Sequence, residues 1–192
     1  MNVIVPSGVG DHIGLAIVRS LGRNNISTTV VSNEKRAMPF YSRYCSGKRV
    51  TEYDDEFLSE LTEDDIIMPN GEEEMLFFAK NAPLYNYTPA FPDYATLDTL
   101  MNKSHLMRLA ITHHLPVPQT FFIDGPDSLQ KISPALTYPL IMKPNRGRGG
   151  RGIIRVDSPE MVEERYAHIL HHFGPSLLQE CVPFNKRYSS AV

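Results

Sequence analysis

The segment with the clearest chemical potential is a glycine-rich loop at residues 143–152. Four of the six residues from position 147 are glycine, namely Gly147, Gly149, Gly150 and Gly152. Glycine lets several backbone N–H groups point at one anion, because it tolerates positive φ values and has no Cβ in the way. The pattern predicts a phosphate-binding loop. A flexible hairpin tip with solubilising arginines is the alternative interpretation.

Lys143 stands at the start of this loop, inside the apolar run 139–144. An ammonium group in such a run is costly without a partner, which favours a functional role over that of an ordinary surface lysine. The segment is not a Walker A loop, because the lysine precedes the glycines and the residues that follow read as a strand. Because the tip is glycine-rich, we expect it to be unanchored when no anion is bound.

A second glycine-containing loop follows the first predicted strand. Gly8, Gly10 and Gly14 resemble a Rossmann dinucleotide loop, and Glu34 lies at a suitable distance downstream to hold a ribose. The spacing, however, is GxGxxxG. Nucleotide binding there is therefore the weaker interpretation.

The composition limits the possible classes of function. The 192 residues are 42% hydrophobic and 21% charged with a formal net charge of -3, which is typical of a globular protein with one large or two small domains. The basic cluster at 143–155 fits a small anion better than a nucleic acid. Cys45 and Cys181 are far apart and predict neither a disulfide nor a metal site. We find no targeting segment or long apolar run, and expect a cytoplasmic protein without a membrane partner.

The first half of the chain has the alternation of a small doubly wound α/β sheet. A strand at the N-terminus, a helix that Gly22 is placed to end, and a strand at 26–31 form a βαβ opening with parallel pairing. A helix at 54–61, a strand at 65–68 and a helix at 72–80 continue the pattern.

The pattern changes around residues 89–92, which predicts two domains, 1–93 and 94–192. The second domain begins with two helices before residue 115, and Ser158 followed by Pro159 opens another. Strands are predicted at 119–123, 139–144, 153–156, 177–182 and 188–192. Only eight residues separate the two strands around the glycine loop, which indicates an antiparallel hairpin.

Four segments resemble ATP-grasp enzymes, and they occur in the order and spacing of that family. They are Asn102-Lys103-Ser104 with its helix and 116–120, the run 138–144 with the glycine loop, the hinge-like 178–183, and the βαβ opening with 67–73. The last is similar to the pre-ATP-grasp domain of carbamoyl phosphate synthase large-subunit-like and carboxylate-amine ligase proteins. The resemblance implies a Rossmann-like parallel-sheet domain followed by the α+β first subdomain of an ATP-grasp fold.

The resemblance also implies roles for individual residues. ATP would be the nucleotide, with Lys103 and Lys143 at its phosphates. The Glu180 carbonyl and Val182 N–H would imitate base pairing at the adenine edge. The full set implied at the ATP is Lys103, Lys143, Gly147, Gly149, Gly150, Gly152, Gln179, Glu180, Cys181 and Val182, and a possible acceptor-substrate side comprises Ser7, Gly8, Gly10 and Glu72.

The implied activity is ATP-dependent ligation of a small carboxylate to an amine, ammonia or thiol through an acyl phosphate. Family members hold Mg²⁺ on a second subdomain, so we expect the metal ligands and catalytic residues beyond Val192 and none within this chain. The chain is then expected to be a truncated, inactive fragment that self-associates or dimerises. The alternative is a non-catalytic nucleotide-binding or regulatory module with a Rossmann-like domain.

Overall fold

A computed structural model describes residues 2–8 and 10–183, which form two compact units. The first unit ends at Asp98 and the second begins at Thr99. This division falls inside the helix Tyr94–Met101, a few residues after the boundary between 93 and 94 that the sequence pattern predicts. None of the helices in the described ranges has the length and apolar character needed to cross a bilayer.

Unit 1 contains a parallel sheet wound in both directions from its central strand. The strand order is β3-β2-β1-β4-β5 and every pair is parallel. The chain therefore reverses direction along the sheet at β1, which is where ligand crevices form in such folds. The strands are β1 (Asn2–Pro6), β2 (Thr28–Ser32), β3 (Gly47–Val50), β4 (Asp65–Ile67) and β5 (Thr88–Pro89), and the helices are α1 (His12–Arg23), α2 (Asp55–Ser59) and α3 (Glu72–Asn81), with a 3₁₀ turn at Met38–Tyr41. The helix α4 (Tyr94–Met101) contains the division between the units.

Side chains alternate between the two faces of this sheet along each strand, and apolar residues pack against both faces. Val3 and Val5 pack with Val18 of α1 on one face, and Ile4 packs with Phe57 and Phe78 on the other. The predicted α/β class and the parallel βαβ opening are confirmed.

The sequence predicts that Gly22 ends α1, but the helix does not end there. The helix continues to Arg23 and is capped by Asn24, whose backbone N–H donates to the carbonyls of Leu21 and Gly22. A Cβ at position 22 would collide with the Tyr44 side chain. The glycine therefore allows Tyr44 to pack closely against α1, a tertiary requirement that local sequence does not reveal.

Unit 2 is built on an antiparallel sheet with the strand order β6-β9-β7-β8. The predicted β7-β8 hairpin around the glycine loop is confirmed. The predicted strand at 188–192 lies outside the described residues. The elements of this unit are α5 (Lys103–Thr112), β6 (Thr120–Ile123), α6 (Pro126–Ile132), a 3₁₀ turn at Ser133–Ala135, β7 (Leu140–Pro144), β8 (Ile154–Val156), α7 (Pro159–Phe173) and β9 (Ser176–Glu180).

The two faces of this sheet have different characters. On one face Leu140, Met142 and Leu178 pack against Val162 and Ile169 of α7. The register places Ile141 opposite Gln179 and Lys143 opposite Leu177, so these side chains share the other face. The alternation within β7 thus sends an apolar set into the core and presents Lys143 on the opposite side.

Candidate functional site

The glycine loop between β7 and β8 has the backbone that its composition predicts. The φ values are +122° at Gly147, +65° at Gly149, +76° at Gly150 and +70° at Gly152. Residues with a Cβ rarely adopt such values. The loop conformation therefore depends on these four glycines.

The first half of the loop is anchored, whereas the prediction of an unanchored loop concerned its tip. The Asn145 N–H donates to the Pro175 carbonyl at 2.8 Å, and the Asn145 carbonyl accepts from the Lys103 backbone N–H at 2.8 Å. The Ser104 hydroxyl donates to Asn145 Oδ1 at 2.7 Å. The Lys103 ammonium then donates to the Gly147 carbonyl at 2.8 Å. The N-terminus of α5 thus positions the loop.

Lys143 lies on the face of the sheet opposite α7 and is half-buried. Its ammonium group donates to Gln179 Oε1 at 2.6 Å. Burial, and secondarily the charge of Lys103, lower the Lys143 pKa. Lys103 contacts the glycine loop at Asn145 and Gly147, and Lys143 lies just before the same loop, so the structure brings the two predicted lysines to one region of unit 2.

Gln179 is buried, with 6% of its surface exposed, and it connects Lys143 to β6. Its Nε2 donates to Thr120 Oγ1 at 3.0 Å and to Met107 Sδ at 3.5 Å. The resemblance places Gln179 at the adenine hinge, whereas the structure uses its side chain to hold Lys143. Sequence reasoning missed this contact, which follows from the β7-β9 register.

The remaining hinge residues lie at the end of β9 and directly after it. The Glu180 N–H donates to the Gln119 carbonyl at 2.9 Å, and the Cys181 N–H donates to the Pro139 carbonyl at 3.2 Å. The Val182 N–H donates to the Glu180 carbonyl at 3.1 Å. The two groups predicted to pair with adenine therefore bond to each other, and this contact would have to open for both to reach a base.

The charges around the loop fit a polyphosphate group. Two ammonium groups and a glycine-rich backbone lie together, and within the described residues no carboxylate forms an ion pair with Lys103 or Lys143. An anion would relieve the repulsion between the two cations. For magnesium the situation differs: no group of three or more His, Cys, Asp or Glu residues in the described ranges could hold a metal ion.

The predicted acceptor-side loop of unit 1 is closed by its own side chains. The buried Ser7 hydroxyl donates to Asp11 Oδ2 at 2.5 Å, and Asn70 Nδ2 donates to the same oxygen at 3.0 Å. Asp11 Oδ1 caps α1 by accepting from the Gly14 N–H at 2.8 Å. Gly10 is exposed and has a φ of +75°. A carboxylate thus occupies the helix end that would bind phosphate in a dinucleotide-binding fold.

A cavity of about 500 Å³ opens at the carboxyl ends of the strands of unit 1. Burial, together with the charges of Glu74, Asp11 and Glu52, raises the pKa of Tyr53 to about 12. Of the predicted acceptor-side residues, Ser7 and Gly8 line this cavity, whereas Glu72 is replaced in the lining by the next two glutamates. The lining comprises Ser7, Gly8, Asn33, Glu34, Glu52, Tyr53, Glu73, Glu74 and Phe77. Its four glutamates suit a cationic group better than a phosphate.

No protein-family model matches the sequence. Among curated proteins, the alpha-aminoadipate–LysW ligase LysX of Saccharolobus solfataricus is 28% identical over 74 residues. This match covers 38% of the present chain and 27% of that ligase. It is a local similarity to a protein named as a ligase.

Solved structures match nearly the whole chain. An ADP complex of PurK, N5-carboxyaminoimidazole ribonucleotide synthetase, has a TM-score of 0.75 at 19% identity, over 96% of this chain and 47% of that one. The biotin carboxylase domain of Hydrogenobacter thermophilus 2-oxoglutarate carboxylase, solved as a dimer with MgADP, ADP and bicarbonate, gives 0.70 at 17%, over 94% and 44%. An L-amino acid ligase from Bacillus licheniformis gives 0.70 at 18%, over 94% and 44%.

The present chain therefore spans about half the length of the solved structures that it matches. The parallel sheet of unit 1 and the antiparallel sheet of unit 2 both belong to the matched region, since 96% of the chain is covered in the PurK comparison. The chain has the fold of the N-terminal part of the ATP-grasp ligases.

Proposed function

We propose that unit 2 binds ATP through Lys103, Lys143 and the glycine loop, as part of an ATP-dependent ligase that joins a small carboxylate to an amine or a similar nucleophile. The observation that supports this most directly is the convergence of two ammonium groups without a carboxylate ion-pair partner on one glycine loop, within the described residues. The similarity to ligase structures gives the reaction class.

In the proposed reaction a carboxylate oxygen attacks the γ-phosphorus of ATP, and the bond to the β-γ bridging oxygen breaks to release ADP. The amine nitrogen then attacks the acyl carbon, loses a proton and expels inorganic phosphate. The residues of this chain would orient the phosphates and offset their negative charge. The described residues do not fit a magnesium site, so no step is assigned to the metal here. The ligation as a whole is proposed for a protein with the length of the matched ligases.

Unit 1 is proposed as the side that receives the acceptor substrate, at the cavity lined by Ser7 and Gly8. Its glutamates would attract an amine and repel a phosphate. The alternative, a dinucleotide-binding module at this loop, is opposed by the same charges and by the Asp11 carboxylate at the start of α1. Unit 2 is therefore the favoured position for the nucleotide.

The nucleotide site is tested by isothermal titration calorimetry of ATP with the 192-residue chain. Lys143→Ala and Lys103→Ala each remove one charge-assisted contact, so each should weaken ATP binding by about tenfold or more. Lys131→Ala, which removes an exposed lysine from α6 of the same unit, should leave the affinity unchanged. Equal affinities for all four proteins would refute the assignment.

A further inference from the structure

The group that holds the Lys143 ammonium is an uncharged amide. Lys143 Nζ donates to Gln179 Oε1 at 2.6 Å, and Gln179 is almost fully buried. Buried ammonium groups more commonly pair with a carboxylate, which cancels their charge. Here the partner holds the lysine without cancelling its charge.

The hydrogen bonds of Thr120 determine which end of the amide faces the lysine. The Thr120 hydroxyl donates its single proton to the Pro118 carbonyl at 2.8 Å. It can therefore only accept from Gln179, and it does so from Nε2 at 3.0 Å. The amide oxygen must then face Lys143. The arrangement is specific, because a reversed amide would place an N–H donor against the ammonium group.

The positive charge of Lys143 has a function only if an anion binds to it. A carboxylate at position 179 would satisfy Lys143 equally well in geometry, but it would neutralise the cation. We propose that Gln179 is a positioning residue that holds Lys143 toward a polyphosphate ligand without neutralising it, an inference that rests on the proposed function. According to this proposal, the affinity of the site for phosphate depends on residue 179 being uncharged.

The other groups on this face do not replace that role. Lys103 at the start of α5 adds a second positive charge, and Arg155 of β8 lies on the same face through its pairing with Ile141. Arg108 of α5 pairs with Asp124 at 3.3 Å. Arg155 is itself ion-paired with Asp157 at 2.9 Å, and among the described residues no carboxylate forms an ion pair with Lys143.

The test compares Gln179→Glu and Gln179→Leu with the wild-type chain, using calorimetry with ATP and with inorganic tripolyphosphate between pH 7 and pH 10. Gln179→Glu should weaken the binding of both ligands by about tenfold, because it cancels one cation. In Gln179→Leu the ammonium loses its acceptor, so the loss of affinity with rising pH should begin at a lower pH than in wild type. Ser176→Ala, which removes an unpartnered buried hydroxyl from β9, should change neither property.

A ligand-free readout separates this inference from the proposed function. The Lys143 pKa, followed by NMR of isotopically methylated lysines, should rise in Gln179→Glu and fall in Gln179→Leu relative to wild type. An unchanged pKa in Gln179→Glu would overturn the positioning role, even if ATP binds. If the Lys143 pKa shifts but the wild-type chain binds neither ATP nor tripolyphosphate, the proposed function is refuted. The role of Gln179 in ligand binding is then refuted as well. If Gln179→Leu unfolds, as judged by circular dichroism, the near-isosteric Gln179→Glu carries the test alone.

Discussion

Single residues in the glycine loop are constrained by backbone conformation, and at one position also by side-chain contacts. Gly149 and Gly150 have positive φ values and open space around them, whereas Gly152 also lies against neighbouring side chains. A Cβ at position 152 would approach Pro144 Cγ to 2.6 Å. Both the strain and the contact make position 152 the least tolerant of the loop.

Gly152→Ala should therefore lower the free energy of unfolding by about 1 to 3 kcal/mol, since it combines a left-handed backbone with a steric clash. Urea unfolding monitored by circular dichroism measures this. Gly125→Ala is the matched control, because Gly125 has an extended φ of 166° and a Cβ added there would meet no atom within 4 Å. Similar losses for both variants would contradict the role of backbone conformation.

At the scale of secondary structure, the N-terminus of α5 connects stability with the candidate site. Asn102 caps the helix, and its Oδ1 accepts from the backbone N–H groups of Ser104 at 3.0 Å and His105 at 3.2 Å. Lys103 is the first residue of the helix and bonds to the loop at Asn145 and Gly147. The start of this helix thus determines where the Lys103 ammonium lies.

Asn102→Ala should destabilise the chain by about 1 kcal/mol, as cap removal does in other helices, and should also weaken ATP binding. Asn102→Asp retains a capping oxygen but adds a negative charge beside Lys103. It should therefore preserve stability while still weakening ATP binding. Thermal unfolding and calorimetry of the same samples measure the two effects separately.

Asp54→Ala provides the control for a cap far from the candidate nucleotide site in sequence. Asp54 caps α2 of unit 1 by accepting from the Phe57 N–H at 2.9 Å. Its replacement should lower stability to a similar extent and leave ATP affinity unchanged. If Asp54→Ala weakened ATP binding as much as Asn102→Ala does, the effect would reflect global stability and not the position of Lys103.

At the scale of the whole molecule, the response to alkaline pH should be determined largely by the core of unit 1. Tyr53 and Tyr87 pack around Phe78 in this core. The Tyr87 hydroxyl donates to the Phe78 carbonyl at 2.5 Å, and the Tyr53 hydroxyl donates to the Val31 carbonyl at 3.1 Å. Burial raises the pKa of each to about 12, from an ordinary value of 10.0.

A tyrosine whose pKa is higher in the folded state than in the unfolded chain stabilises the fold below its unfolded pKa. That contribution is lost as the pH rises from about 10 through about 12, so the free energy of unfolding should fall by up to about 5 kcal/mol over this window, because one unit of pKa shift corresponds to about 1.4 kcal/mol and solvent screening lowers the effect of partly exposed groups. Urea titrations at a series of pH values measure the loss. The double variant with Tyr53→Phe and Tyr87→Phe should show a flatter profile, whereas Tyr94→Phe, at an exposed position, should follow wild type. A profile that is equally steep in the double variant would contradict this explanation.

Much of the architecture was predictable because it is encoded locally. Apolar periodicity predicts the βαβ opening, and Ser158 followed by Pro159 predicts the start of α7, where the structure shows the Ser158 side chain accepting from the Met161 N–H. The strands β3 and β5 and the helix α6 were not predicted. β3 is short, and its residues Gly-Lys-Arg-Val lack the alternation of apolar side chains by which buried strands are recognised.

The sequence by itself determined the α/β class, the hairpin around the glycine loop and the choice of Lys143 as a candidate ligand, since composition and short-range spacing carry those signals. Lys103 was implied by the resemblance to ATP-grasp motifs. Only the tertiary structure decided that Gln179 holds Lys143, that Tyr44 requires Gly22, and that the loop near Ser7 opens on an acidic cavity. The physical reason is that these features depend on strand register and on packing between segments distant in sequence. The Lys143 and Gln179 side chains are brought together by pairing of β7 with β9, across 36 positions of the chain.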